Sequence, residues 1–134
     1  MMMEDLPRFA KLYNVPLNTN PHFPINTLNL MRGAVSSLDE EYFDTYIDTI
    51  FKAIWVESRN MGDIDTVIEV LSDAGLDAES ILDATQNPEV KQQLISNTEQ
   101  AVESGLFGAP TMFVDGEMFF GQDRLQFVEA ALKN

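Results

Sequence analysis

The sequence predicts an α+β fold that is mostly helical and ends in a β-hairpin followed by a helix. Apolar residues recur at helical spacing through most of residues 1–104. Near the C-terminus, the runs TMFV and EMFF flank Asp115-Gly116, a pair favoured in two-residue type I′ hairpin turns. Gly121 then ends the second strand, and the last helix is predicted to follow, with its apolar stripe formed by Leu125, Val128 and Leu132.

The N-terminal part is predicted to contain two helices, residues 1–13 and 28–35, joined by an irregular connector. The connector, residues 15–26, is rich in proline and therefore suits neither a helix nor a central strand. Asn26 or Thr27 is the natural N-cap of the second helix, since the oxygen of a short polar side chain there can accept a hydrogen bond from a free backbone N–H.

The longest predicted helix covers residues 39–57, with Asp39 as its N-cap. Its apolar positions recur at helical spacing and include several aromatic side chains. Such a stripe is typical of a helix that packs into a core, so we predict it to be core. The surplus of aromatic residues would also suit a dimer contact.

Two short helices are predicted at residues 64–74 and 78–84, where Asp63 and Asp77 are the N-caps. Gly75 lies between them and suits the left-handed position that ends a helix.

The next predicted helix, residues 88–104, begins at Asn87-Pro88, a cap followed by a proline that needs no hydrogen-bonded N–H. Gly105 ends it. Its predicted inner face is formed by Val90, Leu94, Ile95, Thr98 and Val102.

Composition excludes several classes of function. The net charge is −14, which disfavours nucleic acid and anionic membrane surfaces. The absence of cysteine excludes a disulfide, a thiolate metal site or a thiol nucleophile from these residues, and a single histidine cannot form a multi-histidine metal site. No run of about 20 apolar residues and no signal-peptide pattern is present. We therefore expect a soluble cytoplasmic protein without a metal.

The C-terminal segments FGAPT (107–111), FVDG (113–116) and FFGQDRL (119–125) resemble the signature of 2-hydroxychromene-2-carboxylate isomerases. This family belongs with the kappa-class glutathione transferases and the DsbA-like oxidoreductases, which share a thioredoxin fold with a helical insertion. The resemblance implies an incomplete thioredoxin-like fold of the DsbA and kappa type. Residues 1–104 would form the helical insertion region and residues 105–134 the C-terminal ββα half, in one compact unit.

The resemblance extends over most of the chain but covers only about the latter two thirds of a family member. The first β-α-β unit of the fold is not found in it. In the isomerases and kappa transferases that unit carries the serine that meets the glutathione sulfur, so we expect no catalytic nucleophile among these residues.

Glutathione is the cofactor that the resemblance implies. Ala109 would pair its backbone with the cysteinyl unit, and Pro110 would hold the geometry, although the sequence leaves open whether the bond between them is cis or trans. The remaining contacts that the family segment implies are Phe120, Gly121, Gln122 and Asp123.

Asn26 has two interpretations, which the sequence leaves open. In related sequences a similar segment borders the substrate cleft, so the resemblance implies a substrate contact. The residue types alone indicate no more than a helix cap.

Three functions follow from the resemblance. The first is glutathione-dependent cis-trans isomerisation of an intermediate of aromatic-compound degradation. The second is a kappa-type glutathione transfer or a DsbA-like thiol-disulfide exchange. The third is a truncated, non-catalytic dimeric module. The expected partners are glutathione, a small aromatic-derived substrate and a second copy of the chain, with exposed strand edges pairing across the dimer.

Overall fold

The structure is a computed structural model that describes residues 2–106, 109–121 and 124–133, with side chains described from residue 6 onwards. Within these ranges the chain forms seven helices and one two-stranded sheet. None of the described helices is long and apolar enough to cross a membrane. In chain order the elements are α1 (Met2–Leu12), α2 (Leu28–Ser37), α3 (Phe43–Trp55), α4 (Ile64–Asp73), α5 (Ala78–Ala84), α6 (Pro88–Glu103), β1 (Thr111–Val114), β2 (Glu117–Phe120) and α7 (Leu125–Leu132).

The chain divides into two compact units, Met1–Leu94 and Ile95–Asn134, and the boundary falls inside α6. The predicted division after residue 104 stays a prediction.

The hydrophobic core of the first unit is formed by α2, α3, α4 and α5. Buried side chains recur at three- and four-residue spacing along α3 and α4, which places each set on one helix face. The core comprises Leu30, Tyr46, Ile50, Ala53, Ile54, Met61, Val67, Val70, Leu71, Ala78 and Ile81. Burial of large apolar side chains of this kind stabilises a fold by about 1.5–3 kcal/mol each.

Asp63, Asp77 and Asn87 cap α4, α5 and α6, as predicted. The side-chain oxygen of each accepts a hydrogen bond from a backbone N–H of the first turn, at 3.2, 3.1 and 2.8 Å respectively. Gly75 adopts a φ of 80° after α4, the left-handed conformation predicted for it.

The predicted cap at Asp39 is wrong, because α3 begins four residues later, at Phe43. Two backbone turns fill the gap: the Glu40 N–H donates to the Ser37 carbonyl at 2.9 Å, and the Phe43 N–H donates to the Glu40 carbonyl at 3.1 Å. The buried Ser37 hydroxyl, at the last residue of α2, donates to the Gly33 carbonyl of the same helix at 2.7 Å.

The predicted inner face of α6 agrees with the structure only in part, because Val90 and Leu94 are half-buried while Ile95, Thr98 and Val102 are exposed. No residue that the structure describes in α6 is buried, and Ile95 and Val102 are 50% and 64% exposed. Helical spacing determines which residues share a face, but it does not determine whether another element packs on that face.

The hairpin has the predicted strands and turn. The strands β1 and β2 pair antiparallel with Val114 opposite Glu117 and Thr111 opposite Phe120. Asp115 and Gly116 have φ values of 50° and 84°, and positive φ at both central positions is the mark of a type I′ turn.

Candidate functional site

The open end of the hairpin brings together four of the residues predicted to bind glutathione. The Gly121 N–H donates to the Pro110 carbonyl at 2.9 Å, which extends the ladder by one pair beyond β1 and β2. Phe120 and Gly121 are half-buried, whereas Ala109 and Pro110 are exposed. The Ala109–Pro110 peptide bond is cis.

The outer edge of β1 and the residue before it are not paired with β2. Hydrogen-bonded and non-hydrogen-bonded pairs alternate along an antiparallel ladder. Since Pro110 and Gly121 are hydrogen-bonded, the backbone groups of Phe113 face the outer edge of β1, and Ala109 lies just before the ladder, across the cis bond. Among the described residues, neither the N–H nor the C=O of Ala109 has a hydrogen-bond partner.

The remaining two predicted residues, Gln122 and Asp123, lie outside the described residues. After them, α7 has Arg124 as its N-cap, without a capping bond from its side chain and without an acid in the first turn. The Arg124 guanidinium lies 5.6 Å from the centre of the Phe127 ring. The start of α7 thus offers backbone N–H groups and a cation, a combination that favours an anion.

Asn26 serves as a turn residue at the start of α2. Its side-chain oxygen accepts from the Leu28 N–H at 3.1 Å, while Thr27, the N-cap, makes no side-chain capping bond. Asn26 is exposed and also lines a small slot of about 70 Å³, which it shares with Asn29 and Thr85. Its amide nitrogen has no partner in the part of the chain that the structure describes.

A second candidate site, which sequence reasoning missed, is an apolar cavity of about 230 Å³ between α2 and α3. Phe23, Trp55 and Phe51 line it together with aliphatic residues of both helices. Phe51 belongs to the aromatic stripe of the helix predicted at residues 39–57 to be core, but it is 61% exposed, so for this residue the prediction is wrong. The aromatic stripe of α3 is wider than one packed helix face requires, and this surplus was the signal in the sequence.

Tyr46 forms part of the lining of this cavity and is nearly fully buried. Its hydroxyl donates to the Leu30 carbonyl at 2.7 Å. Burial, with a smaller contribution from Tyr42, raises the pKa of Tyr46 well above its usual range. Tyr46 therefore stays neutral and structural near neutral pH. No group of three or more acidic or histidine side chains suited to a metal ion occurs within residues 2–106, 109–121 and 124–133.

Comparison with known families assigns this fold to the thioredoxin-like class. The model of the DSBA-like thioredoxin domain matches residues 1–133. The seven helices and the two-stranded sheet of the described residues agree with this assignment. This chain belongs to the DSBA-like thioredoxin domain family.

Two relatives of named function align with nearly the whole chain. It is 31% identical to a 2-hydroxychromene-2-carboxylate isomerase of Sphingobium xenophagum over 135 residues, which cover 98% of this chain and 67% of the relative. It is 26% identical to the human glutathione S-transferase kappa 1 over 145 residues, which cover 95% of this chain and 62% of the relative.

A solved structure of a 2-hydroxychromene-2-carboxylate isomerase superposes with a TM-score of 0.85 at 28% identity. The superposition covers 98% of this chain and 64% of that one. The chain thus spans about two thirds or less of the length of the proteins that it matches.

Proposed function

We propose that this chain acts in glutathione-dependent isomerisation of the 2-hydroxychromene-2-carboxylate type, and that the open end of its hairpin binds glutathione. The observation that carries the proposal is the backbone of Ala109, which precedes the cis-bonded Pro110 at the open end of the hairpin and has no hydrogen-bond partner among the described residues. The isomerase and kappa transferase relatives support the choice of ligand class. A cytoplasmic location is part of the proposal, in keeping with a chain without cysteine.

In the proposed complex, glutathione is added to the edge of β1 like a short strand. The N–H and C=O of Ala109 pair with the cysteinyl unit, and Pro110 fixes their direction. The γ-glutamyl carboxylate lies near the start of α7, where backbone N–H groups favour an anion. Phe120 and Gly121 flank it. The family resemblance assigns Gln122 and Asp123 to the same contact, with Asp123 taking the ammonium group.

The proposed chemistry returns glutathione unchanged. The thiolate adds to a conjugated carbon–carbon double bond of the substrate, and the electron pair of that bond moves towards the conjugated carbonyl oxygen. Rotation about the resulting single bond follows, and loss of the thiolate then restores the double bond in the other geometry. No residue of this chain is assigned to the sulfur atom. On the first unit we propose Asn26 as a substrate contact, through the amide nitrogen that its turn leaves unused.

Glutathione transfer and thiol-disulfide exchange are the alternatives within the family. Disulfide exchange requires a thiolate on the protein, and these residues include no cysteine, so they could not supply that thiolate themselves. Product analysis separates isomerisation from transfer, because an isomerase releases free glutathione and a transferase releases a glutathione conjugate.

Calorimetric titration with reduced glutathione tests the binding site. We expect saturable binding to the unaltered chain and to Ala109→Gly, because both keep the backbone N–H. Ala109→Pro removes that N–H and should reduce the affinity at least tenfold, in line with the loss of a peptide-recognition hydrogen bond.

Circular dichroism serves as the control for folding in this experiment. Equal glutathione affinity of folded Ala109→Pro and Ala109→Gly would contradict the proposed contact. Absence of any heat or saturation with the unaltered, folded chain would contradict glutathione binding altogether.

A second candidate function is self-association through the same strand edge. No side chain that the structure describes in residues 95–133 is buried, and a lone hairpin is marginal in water without a further strand or helix to pack on. Apolar side chains of this unit, such as Phe113 and Leu132, are 44% and 69% exposed. We propose that β1 of one copy pairs with β1 of another to form a non-catalytic dimeric module.

Sedimentation velocity with two proline variants tests this pairing. Phe113→Pro removes an N–H that faces the outer edge, so it should abolish the dimer and leave the hairpin intact. Met112→Pro removes an N–H inside the ladder and should disrupt the hairpin itself. A chain that sediments as a monomer at every concentration, or a Phe113→Pro variant that still forms the dimer, would contradict the pairing. Glutathione occupies the same edge in the first proposal, so it should dissociate such a dimer.

A further inference from the structure

The apolar cavity of the first unit has an aromatic wall and room for a small molecule. The rings of Phe23 and Trp55 lie 5.8 Å apart between centroids and are tilted by 46°. The cavity volume is about 230 Å³. A cavity of roughly 150 Å³ lined by aliphatic and aromatic side chains is enough to bind benzene.

The lining of the cavity suits an uncharged molecule. None of the side chains that line it is charged. Its polar groups are the hydroxyls of Thr27 and Tyr46 and the indole N–H of Trp55, and the Tyr46 hydroxyl already donates to the Leu30 carbonyl. A carboxylate would lose its water here without gaining a cation, and the net charge of −14 adds to that penalty.

The aromatic wall is held in place by a buried amide. Asn20 is 2% exposed, and its amide nitrogen donates to the carbonyls of Ile54 and Arg59, both at 2.9 Å. The Phe23 N–H donates to the Asn20 carbonyl at 3.1 Å. The connector that carries Phe23 is therefore bound to the end of α3 beside Trp55, and the cavity needs little rearrangement to accept a ligand.

We propose that this cavity binds a neutral aromatic molecule of one or two rings, seated against Phe23 and Trp55. The inference concerns the first unit alone and does not depend on glutathione binding at the hairpin. A ligand of this kind fills an apolar cavity without requiring a hydrogen bond, and a flat ring meets the two tilted aromatic side chains at favourable distances.

Fluorescence quenching provides a direct test, because Trp55 is the one tryptophan of the chain. Nitrobenzene serves as the neutral probe and 4-nitrobenzoate as its anionic counterpart. We expect nitrobenzene to quench Trp55 with saturation, as binding requires, and 4-nitrobenzoate to need at least a tenfold higher concentration. Linear quenching by nitrobenzene, equal to that of free tryptophanamide, would overturn the proposal. Equal affinity for the two probes would overturn the preference for a neutral ligand.

Matched variants locate the binding. Phe23→Ala removes one wall and should weaken nitrobenzene binding about three- to tenfold, the range expected for one aromatic contact. Phe127→Ala is the control, since Phe23 and Phe127 are comparably exposed, at 57% and 46%, and Phe127 belongs to the second unit. Ala34→Leu should fill the cavity and abolish saturation, with thermal unfolding as the check on folding. An equal loss in the Phe127→Ala control, or undiminished saturation in folded Ala34→Leu, would overturn the assignment.

A protein-concentration series separates a small ligand from a second copy of the chain. The affinity for nitrobenzene should be the same over a tenfold range of protein concentration. Affinity that falls as the protein concentration rises would show that another copy covers the cavity, and would overturn the proposal.

Discussion

At the scale of single residues, the contact between Gly33 and Tyr46 determines how closely α2 and α3 approach. Gly33 is buried in α2, and the Tyr46 side chain of α3 lies directly against its Cα. The Tyr46 hydroxyl then reaches the Leu30 carbonyl one turn earlier in α2. Gly33 thus leaves room for the Tyr46 side chain, and the Tyr46 hydroxyl satisfies the Leu30 carbonyl of α2.

Gly33→Ala should destabilise the first unit. A Cβ at this position would overlap the Tyr46 hydroxyl and approach its Cζ atom to 2.9 Å. We expect a loss of about 1–3 kcal/mol in the free energy of unfolding in urea, despite the better helix propensity of alanine. The control is Gly62→Ala, whose Cβ would meet its nearest atom at 3.4 Å, and which should change stability by less than about 0.5 kcal/mol. Equal stabilities of the two variants would show that the contact is not tight.

Tyr46 should also make the first unit sensitive to alkaline pH. Its pKa is raised in the folded state mainly by burial, and an unfolded tyrosine titrates near pH 10. Its contribution to stability is therefore complete below about pH 10 and is lost as pH rises above that value, because the unfolded chain then releases the proton more readily. Tyr46→Phe should unfold with a shallower dependence on pH above about 10. Identical slopes for both proteins, from urea unfolding at several pH values, would contradict the buried neutral phenol.

At the scale of elements, the connector between α1 and α2 is bound to the end of α3 by asparagine side chains. Asn18 donates to the Val56 carbonyl at 2.6 Å from an exposed position, and Asn20 makes its two donor bonds from a buried one. These bonds satisfy carbonyls that the end of a helix leaves without an intrahelical partner. The proline-rich connector therefore has a defined path, and that path positions Phe23.

Asn20→Ala should be far more damaging than Asn18→Ala. The buried variant leaves the carbonyls of Ile54 and Arg59 without their partner, so we expect a loss of about 2–4 kcal/mol in the free energy of unfolding. The exposed variant lets water replace the lost bond and should lose about 0–1 kcal/mol. Trp55 fluorescence during urea unfolding measures both. Comparable losses would mean that burial of Asn20 contributes little.

The contrast between Asp63 and Asp39 shows which elements the sequence could predict. Asp63 caps a helix through a contact three residues away, so local sequence contains the information. Asp39 satisfies the same local rule, but two backbone turns fill that stretch and α3 begins only at Phe43. The hydrogen bond from the Asn20 amide to the Ile54 carbonyl joins residues that are 34 positions apart, and no local pattern predicts it.

The candidate sites divide in the same way. The hairpin end could be predicted because its turn residues, register and signature lie close together in the sequence. The sequence indicated the apolar cavity only as a surplus of aromatic residues on α3. The cavity itself depends on the separation of α2 and α3, and helical spacing alone does not distinguish a lining residue such as Phe51 from a core residue.

At the scale of the whole molecule, charge opposes the proposed ligand. Glutathione carries two carboxylates and one ammonium group, so it approaches a chain of net charge −14 as an anion. Salt shortens the range of this repulsion to about 10 Å at 0.1 M ionic strength. Binding therefore has to rest on short-range contacts at the hairpin and not on long-range attraction.

Added salt should strengthen glutathione binding. We expect a few-fold gain in affinity when sodium chloride is raised from low to physiological concentration, because repulsion is screened while the backbone contacts are retained. Nitrobenzene, which is neutral, is the matched control and should bind with unchanged affinity. Glutathione affinity that falls with salt would mean that attraction to Arg124 outweighs the net repulsion, and would contradict this expectation.

Nuclear magnetic resonance of the labelled chain tests most directly whether the backbone of Ala109 pairs with glutathione. We expect the Ala109 amide resonance to shift saturably as reduced glutathione is added, together with that of Gly121 and ahead of amides in the first unit. A well-dispersed spectrum in which the Ala109 resonance stays in place at saturating glutathione, or in which the first unit alone responds, would contradict it.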